Sequence, residues 1–225
     1  MLSYPDFIKD RYKNKDVHIV ASGPSLIGFD YSYFNDKNVI AVNHAYKLVK
    51  NDFVVFLDSH FAARESPEVL TSGNTLVCSR SAHVPFDQCY AFKAVNRFQL
   101  DPNEGVYSPR SSGLAALTIA IQGSAKNIYL WGFDYRFFSF PEIVEAANSN
   151  GADKATKDFI KNLKKEKYGH ATTGKFKHSQ DEAYHEIIFK DIVKLFEIYP
   201  RHNIFNMSKY SAIPFFERKI KEDII

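Results

Sequence analysis

Ser22-Gly23-Pro24-Ser25 ends a short apolar run, Val17-His18-Ile19-Val20-Ala21, with residue types that suit an anion. Gly23 offers a backbone that a ligand can approach closely or that can take a positive φ. Pro24 fits the first turn of a helix, where no N–H is needed. The hydroxyls of Ser22 and Ser25 stand beside helix-start N–H groups, which favour phosphate. With one glycine, the stretch is neither a GxGxxG dinucleotide loop nor a P-loop with its lysine. Taken alone it reads first as a strand-to-helix turn and second as a nucleotide site.

Other strand ends repeat the theme. Asn43 closes the run Asn38–Asn43, and Asp58 closes Phe53–Asp58. Gly132 and Asp134 follow Asn127–Trp131, and Asn206 and Ser208 sit at and beyond the end of Asn203–Asn206. A carboxylate at Asp58 suits a ribose hydroxyl, as in dinucleotide folds. Asp58-Ser59-His60 is also a short pair that could take a metal, but the chain has no DxD motif and no metal is expected. Asp134 either orients a base or ribose or caps a turn, and Asn206 and Ser208 bond either a nucleotide or their own turn. Arg110-Ser111-Ser112-Gly113 brings a cation to the start of a helix, a place for an anionic group of a ligand.

The elements that must position these residues alternate. Val17–Ala21, Asn38–Asn43, Phe53–Asp58, Thr75–Cys78, Asn127–Trp131 and Asn203–Asn206 read as strands, several of them apolar without clean alternation and hence buried on both faces. Ser112–Gln122 (SGLAALTIAIQ) reads as a buried helix, His44–Lys50 as a short one, and His178–Ile198 as an amphipathic one. The stretch between Ser79 and Pro109 is irregular and predicts insertions or an outer strand or two. The lysine-rich segment from Gly151 to Gly174 predicts a solvated helix and loop, or a lid over a site. The result is an α/β class: a Rossmann-like, mostly parallel sheet with helices on both faces, in which ligands gather at the carboxyl ends of strands.

Bulk properties set outer limits. A chain of 225 residues, 45% hydrophobic and 24% charged, fits one domain with a sizeable core. A net charge of +3 gives no argument for nucleic acid or membrane. Cys78 and Cys89 form neither a metal spacing nor a disulfide framework, and the start of the chain lacks the apolar core of a signal peptide. A cytoplasmic setting is the expectation. The tail Phe215–Lys221 mixes aromatic and basic residues; a docked helix is expected there, with peripheral membrane contact as the alternative.

In order and spacing, GPSL, VIAVNHAY, VFLDS and SSGLAALTIAIQGSAKNIYLWGFD resemble the family-42 bacterial sialyltransferases. The resemblance spans Val17 to Phe216. It implies a single GT-A-variant-like glycosyltransferase domain over residues 1–225, a small lid at 136–177, and a CMP-activated sugar donor with inverting, metal-independent transfer. Gly23, Pro24 and Ser25 would then approach the donor phosphate, with Asn43 and Asp58 along the nucleotide and Ser112 and Gly113 near sugar and phosphate. His178, in KHSQ, would be the general base, ahead of His170, His185 and His202. Tyr135 and Arg136 stand near the place of the tyrosines that steady the departing phosphate in that family, and Arg is a direct phosphate partner. Asp58 stands where that family has Asn; a related flagellin-glycosylation and pterin-diphosphokinase-like group has Asp there. The alternatives are therefore a Mg²⁺- and ATP-dependent diphosphokinase and a non-catalytic nucleotide-binding module. The acceptor stays open among glycan, protein, small molecule and modified DNA, as does oligomeric state.

Overall fold

The computed structural model describes residues 3–59, 61, 63, 73–84, 89–98, 100–109, 111–136, 138–161, 190, 203–213 and 216–224. The strands are β1 (Asp16–Val20), β2 (Asn38–Val42), β3 (Phe53–Phe56), β4 (Leu76–Ser79), β5 (Cys89–Phe92), β6 (Ala94–Val95), β7 (Val106–Tyr107), β8 (Asn127–Trp131), β9 (Ile204–Asn206) and β10 (Glu217–Arg218). Among the described residues the α-helices are α1 (Tyr4–Ile8), α2 (Ser112–Gln122), α3 (Phe140–Ser149) and α4 (Lys154–Lys161).

Eight strands form one sheet in the order β10-β9-β8-β1-β2-β3-β4-β5, with every pairing parallel. Strands buried on both faces need apolar residues at nearly every position; β3 (FVVF) and β4 (LVCS) are buried throughout. From β1 the chain builds outward to β5, then returns through α2 to place β8 on the opposite side of β1. The order therefore reverses between β1 and β8. A parallel sheet opens a crevice at such a switch point, at the carboxyl ends of the strands.

One face of the sheet packs against α1 and α2. Helix α2 is apolar all round, and every residue from Gly113 to Gln122 is buried. Its polar side chains are satisfied inside: Thr118 Oγ1 donates to the Tyr107 carbonyl at 2.9 Å, and Gln122 Nε2 donates to the Gly105 carbonyl at 2.8 Å. Gln122 Oε1 accepts from the Tyr4 hydroxyl at 2.6 Å, which ties α1 to α2.

The other face is covered differently. Among the described residues, short 3-10 turns at Tyr31–Phe34 and Asn43–Lys47 lie over it, packed on Val20, Val54, Phe56 and Trp131. The helix expected over His44–Lys50 is the second of these turns. The helix expected over His178–Ile198 lies outside the described residues. A third apolar cluster joins α3 and α4 to Ile27, through Ile143, Ala147 and Ile160. The described part of the expected lid, residues 138–161, is thus a packed helical pair. The outer strand expected between Ser79 and Pro109 is β5, and β6 pairs with β7 in a separate two-stranded sheet.

Candidate functional site

The exits of β1 and β8 are zipped together past the end of the sheet. Ala21 N–H donates to the Trp131 carbonyl at 2.8 Å and Gly23 N–H to the Gly132 carbonyl at 3.1 Å. Gly132 has φ +69°, a left-handed conformation suited to glycine. Gly23 has φ −63°, so it does not supply the positive φ that the sequence allowed. A Cβ at Gly23 would run into the Gly132 carbonyl and come within 2.6 Å of Asp134 Oδ2. On that side, the close approach that requires glycine is made by β8.

Asp134 organises this junction. Its Oδ2 accepts from Ser25 N–H at 2.8 Å, and its Oδ1 accepts from the Ser208 hydroxyl at 2.6 Å. Its backbone carbonyl accepts from Ala212 N–H at 2.8 Å. The side chain thus holds the β1, β8 and β9 exits in one cluster, and the turn role, rather than base or ribose orientation, is the one its contacts display. Burial pushes its carboxyl above the usual carboxylate pKa, against the opposing pull of the Ser208 and Ser25 hydrogen bonds and Arg136.

Asn206 is fully buried; its Oδ1 accepts from Ser208 N–H at 3.0 Å. Ser208, also buried, bridges Asp134 and Tyr210 N–H. Asn206 thus bonds its own turn through Oδ1 while its buried Nδ2 has no partner among the described residues, and Ser208 bonds both its own turn and Asp134. Arg136 donates from Nε to the Tyr210 carbonyl at 2.6 Å and from Nη1 to Glu142 at 2.8 Å, with its guanidinium 4.7 Å from the Phe138 ring centroid. Two of its donor directions are therefore committed within the protein.

On the β2–β3 side the residues are arranged differently. The register Val20↔Ala41 and Val42↔Val55 sets Asn43 between the exits of β1 and β3. Asn43 has φ +50°, and its Oδ1 is buried with no hydrogen-bond partner among the described residues. A left-handed Asn is uncommon, and a buried unsatisfied acceptor costs on the order of 1–3 kcal/mol. Such features cluster at ligand sites. Asp58 and Ser59 lie exposed just beyond β3.

The start of α2 bridges this side to β8. Ser111, not Ser112, is the N-cap, accepting from Leu114 N–H at 3.3 Å. Ser112 Oγ accepts from Leu57 N–H at 3.2 Å, fixing the helix to the exit of β3. A Cβ at Gly113 would meet the Phe133 ring at 2.8 Å and the Tyr135 hydroxyl at 3.1 Å, so the helix start also abuts the exit of β8. Tyr135 adopts φ +50°. The positive end of α2 therefore overlooks the ends of β1 and β2, where an anion would be favoured.

The expected site residues Ser22, Gly23, Asn43, Asp58, Ser111, Ser112, Gly113, Gly132 and Tyr135 are thus gathered along one carboxyl edge. Ser22 is buried just past β1, and Pro24 and Ser25 open a 3-10 turn. His178 and Arg110 lie outside the described residues, as do His60, His170, His185 and His202. Among the described residues no group of three or more His, Cys, Asp or Glu could hold a metal ion. No described helix is long and apolar enough to cross a membrane. Sequence reasoning missed Asn150, whose Nδ2 donates to the Ser25 and Ile27 carbonyls at 2.8 and 2.9 Å and fixes the 24–26 turn. The available signal was Gly151 directly behind it, the left-handed glycine that ends α3.

No protein-family model matches the chain, and no curated protein matches it in sequence. Among solved structures it is similar to the sialyltransferase CstII from Campylobacter jejuni in complex with a substrate analogue, CMP-3FNeuAc. That similarity has 20% identity and a TM-score of 0.48, covering 90% of this chain and 84% of that one. A second CstII structure, in complex with cytidine-5'-monophosphate, gives 19% identity and a TM-score of 0.46, covering 92% and 85%.

Proposed function

We propose that the chain is a glycosyltransferase that moves a sugar from a nucleotide-activated donor, a CMP-sugar, to an acceptor hydroxyl with inversion and without a metal. The observation that carries this reading is Asn43: a strained residue with an orphaned, buried acceptor, on a strand exit overlooked by the start of α2. A ligand N–H or O–H completes that acceptor, and the helix start favours the donor's phosphate. The resemblance of the GPSL, Asn43 and Ser112-Gly113 stretches to the family-42 sialyltransferases is what supports cytidine as the base.

Transfer then needs little covalent chemistry from the protein. The acceptor oxygen attacks the anomeric carbon, the bond from that carbon to the phosphate oxygen breaks, and the acceptor's proton passes to a base, assigned to His178 by resemblance. The phosphate leaves with its electron pair, stabilised by the N–H groups at the start of α2. Asp58 takes the ribose hydroxyls. Asp134, Ser208 and Asn206 position the turns.

The test is a thermal-shift series with CMP, CDP, UDP, GDP and ATP, each with and without EDTA. CMP at about 100 times its Kd should stabilise the fold by about 2.7 kcal/mol, unaffected by EDTA. A shift with ATP alone that EDTA abolishes would replace this reading with the diphosphokinase, the alternative that Asp58 favours. Binding of CMP without turnover of CMP-sugars across many acceptors would favour a binding module.

A further inference from the structure

Asn150 closes α3, and its side chain reaches back to the turn that follows β1. Its Nδ2 donates to the Ser25 carbonyl at 2.8 Å and to the Ile27 carbonyl at 2.9 Å, across 125 and 123 positions of the chain. A side-chain amide carries two N–H donors, so one group can fix the orientation of the turn as well as its place. The N–H of Ser25 is taken as well, donating to Asp134 Oδ2 at 2.8 Å. The Ser25 backbone is therefore held between two side chains, one from the exit of β8 and one from the end of α3.

Packing repeats the contact. Gly28 has φ +73°, and a Cβ there would come within 2.4 Å of the Ala152 Cβ and 3.0 Å of its Cα. Glycine is what lets the two segments approach so closely. Ile27 is buried in one cluster with Ile143, Ala147, Ala152 and Ile160. Helix α3 is anchored in its turn: the Tyr210 hydroxyl and Lys209 meet Glu145 at 2.9 and 3.3 Å, and Arg136 meets Glu142 at 2.8 Å. Residues 150–152 thus form a wall against the 24–28 turn, tied to the exits of β8 and β9.

We propose that Asn150 is a positioning residue for the nucleotide, holding the Ser25 peptide in the one shape that the donor phosphate meets. The role rests on the nucleotide reading given above. Asn150 acts through the turn, with no contact to the ligand. A turn that has lost it samples other shapes, and apparent affinity falls by the fraction of time the competent shape is populated. On the same reading, base and ribose are served by Asn43 and Asp58 on the β2–β3 side, away from that turn. Loss of Asn150 therefore weakens the binding of a nucleotide's phosphate and spares the nucleoside.

Asn150 has φ −84° and ψ 0°, a right-handed conformation that other residues accept without strain. The test compares wild type with Asn150→Ala and Asn150→Leu, the second close to Asn in shape but with neither donor nor charge. Calorimetric titrations use CMP and cytidine, both in EDTA. Each variant should bind CMP about tenfold more weakly, with cytidine within about twofold of wild type. Hydrogen exchange gives a readout that needs no ligand. The amides of Leu26 and Ile27, which donate to the Gly23 and Pro24 carbonyls, should exchange at least about tenfold faster in the variants, with the amides of α2 unchanged. Equal weakening of CMP and cytidine would make Asn150 a general stabiliser of the fold and overturn the proposal. Unchanged CMP affinity, or unchanged exchange at Leu26 and Ile27, would overturn it while leaving the nucleotide reading standing. Failure of the wild type to bind CMP would remove the nucleotide reading, and this role with it.

Discussion

Ser25 and Asp134 stand 109 residues apart in the chain and are joined by a hydrogen bond of 2.8 Å from Ser25 N–H to Asp134 Oδ2. The second carboxylate oxygen, 2.6 Å from the Ser208 hydroxyl, brings in a third segment. The bond closes the switch point of the sheet, so the shape of the crevice depends on a side chain that is itself buried.

Asp134→Ala removes both bonds and leaves the buried Ser25 N–H without a partner. Each such orphan costs about 1–3 kcal/mol, so a loss of about 2–4 kcal/mol is expected in urea denaturation. Asp134→Asn should recover more than half of that loss, because its amide can accept from Ser25 N–H and donate to Ser208. Equal losses in the two variants would mean that the hydrogen bonds are not what the carboxylate contributes.

Gly23→Ala places a methyl group against the Gly132 carbonyl and within 2.6 Å of Asp134 Oδ2. The Gly132 backbone and the doubly bonded Asp134 carboxylate leave little room to relax. Overpacking of this kind typically costs about 1–3 kcal/mol and occasionally more. The melting temperature should therefore fall before any ligand is added. An unchanged melting temperature with weakened CMP binding would instead put the close approach at Gly23 on the ligand.

How much of this was legible in the sequence differs by element. The central parallel strands were, because burial on both faces leaves near-continuous apolar runs, as in β3 and β4; β10 was not, since its exposed Glu217 and Arg218 lie where a docked helix was expected. Helix α2 was, for the same reason. Helix α3 was not: Pro141 resembles a breaker, yet it sits in the first turn, where its missing N–H costs nothing. Glu142 there accepts from Ser139 N–H at 2.8 Å and steadies the helix start. Helix α1 is five residues long, too short for a periodic signal. At the crevice, residue types on strand ends could be read from sequence. Which carboxylate is already satisfied by other segments could not, and that separates Asp134 from Asn43 and Asn206, each of which keeps a buried amide atom without a partner among the described residues.

Stability should also depend on pH through His18. Burial, with a smaller contribution from Lys37, depresses its pKa from 6.5 to about 3, against an opposing pull from Asp36. Its Nδ1 accepts from Trp131 Nε1–H at 3.0 Å, a bond the imidazolium cannot make. The unfolded chain takes up this proton first, so stability is full above pH 6.5 and falls as pH drops toward 3, by up to about 1.4 kcal/mol per unit. Asp134 acts in the opposite sense: its raised pKa means that the folded state takes up that proton first. His18→Gln keeps an acceptor for the indole and should flatten the slope below pH 6.5. A slope unchanged by that substitution would place its origin elsewhere.

For catalysis, His178→Ala should lower kcat by roughly 10²–10⁴-fold, the usual contribution of a general base. CMP affinity should barely change, since the base contacts the acceptor. The wild-type rate should fall as pH drops through the pKa of the histidine, and the variant should lose that limb. A variant within a few-fold of wild type would remove His178 from the mechanism, and a large loss of donor affinity would place it at the phosphate.

Calorimetric titration of CMP into wild-type protein and Asn43→Ala, both in EDTA, tests the central claim most directly. The orphaned Oδ1 of Asn43 should gain its partner from the nucleotide. Wild type should therefore bind CMP without a metal, and Asn43→Ala should bind it about 3- to 12-fold more weakly, the equivalent of about 0.6–1.5 kcal/mol for one hydrogen bond. Ala is less at home than Asn at φ +50°, so the variant's fold should lose about 1–2 kcal/mol, and the affinities are compared at a temperature where both proteins remain folded. Failure of the wild type to bind CMP, or equal affinity in the two proteins, would contradict the account.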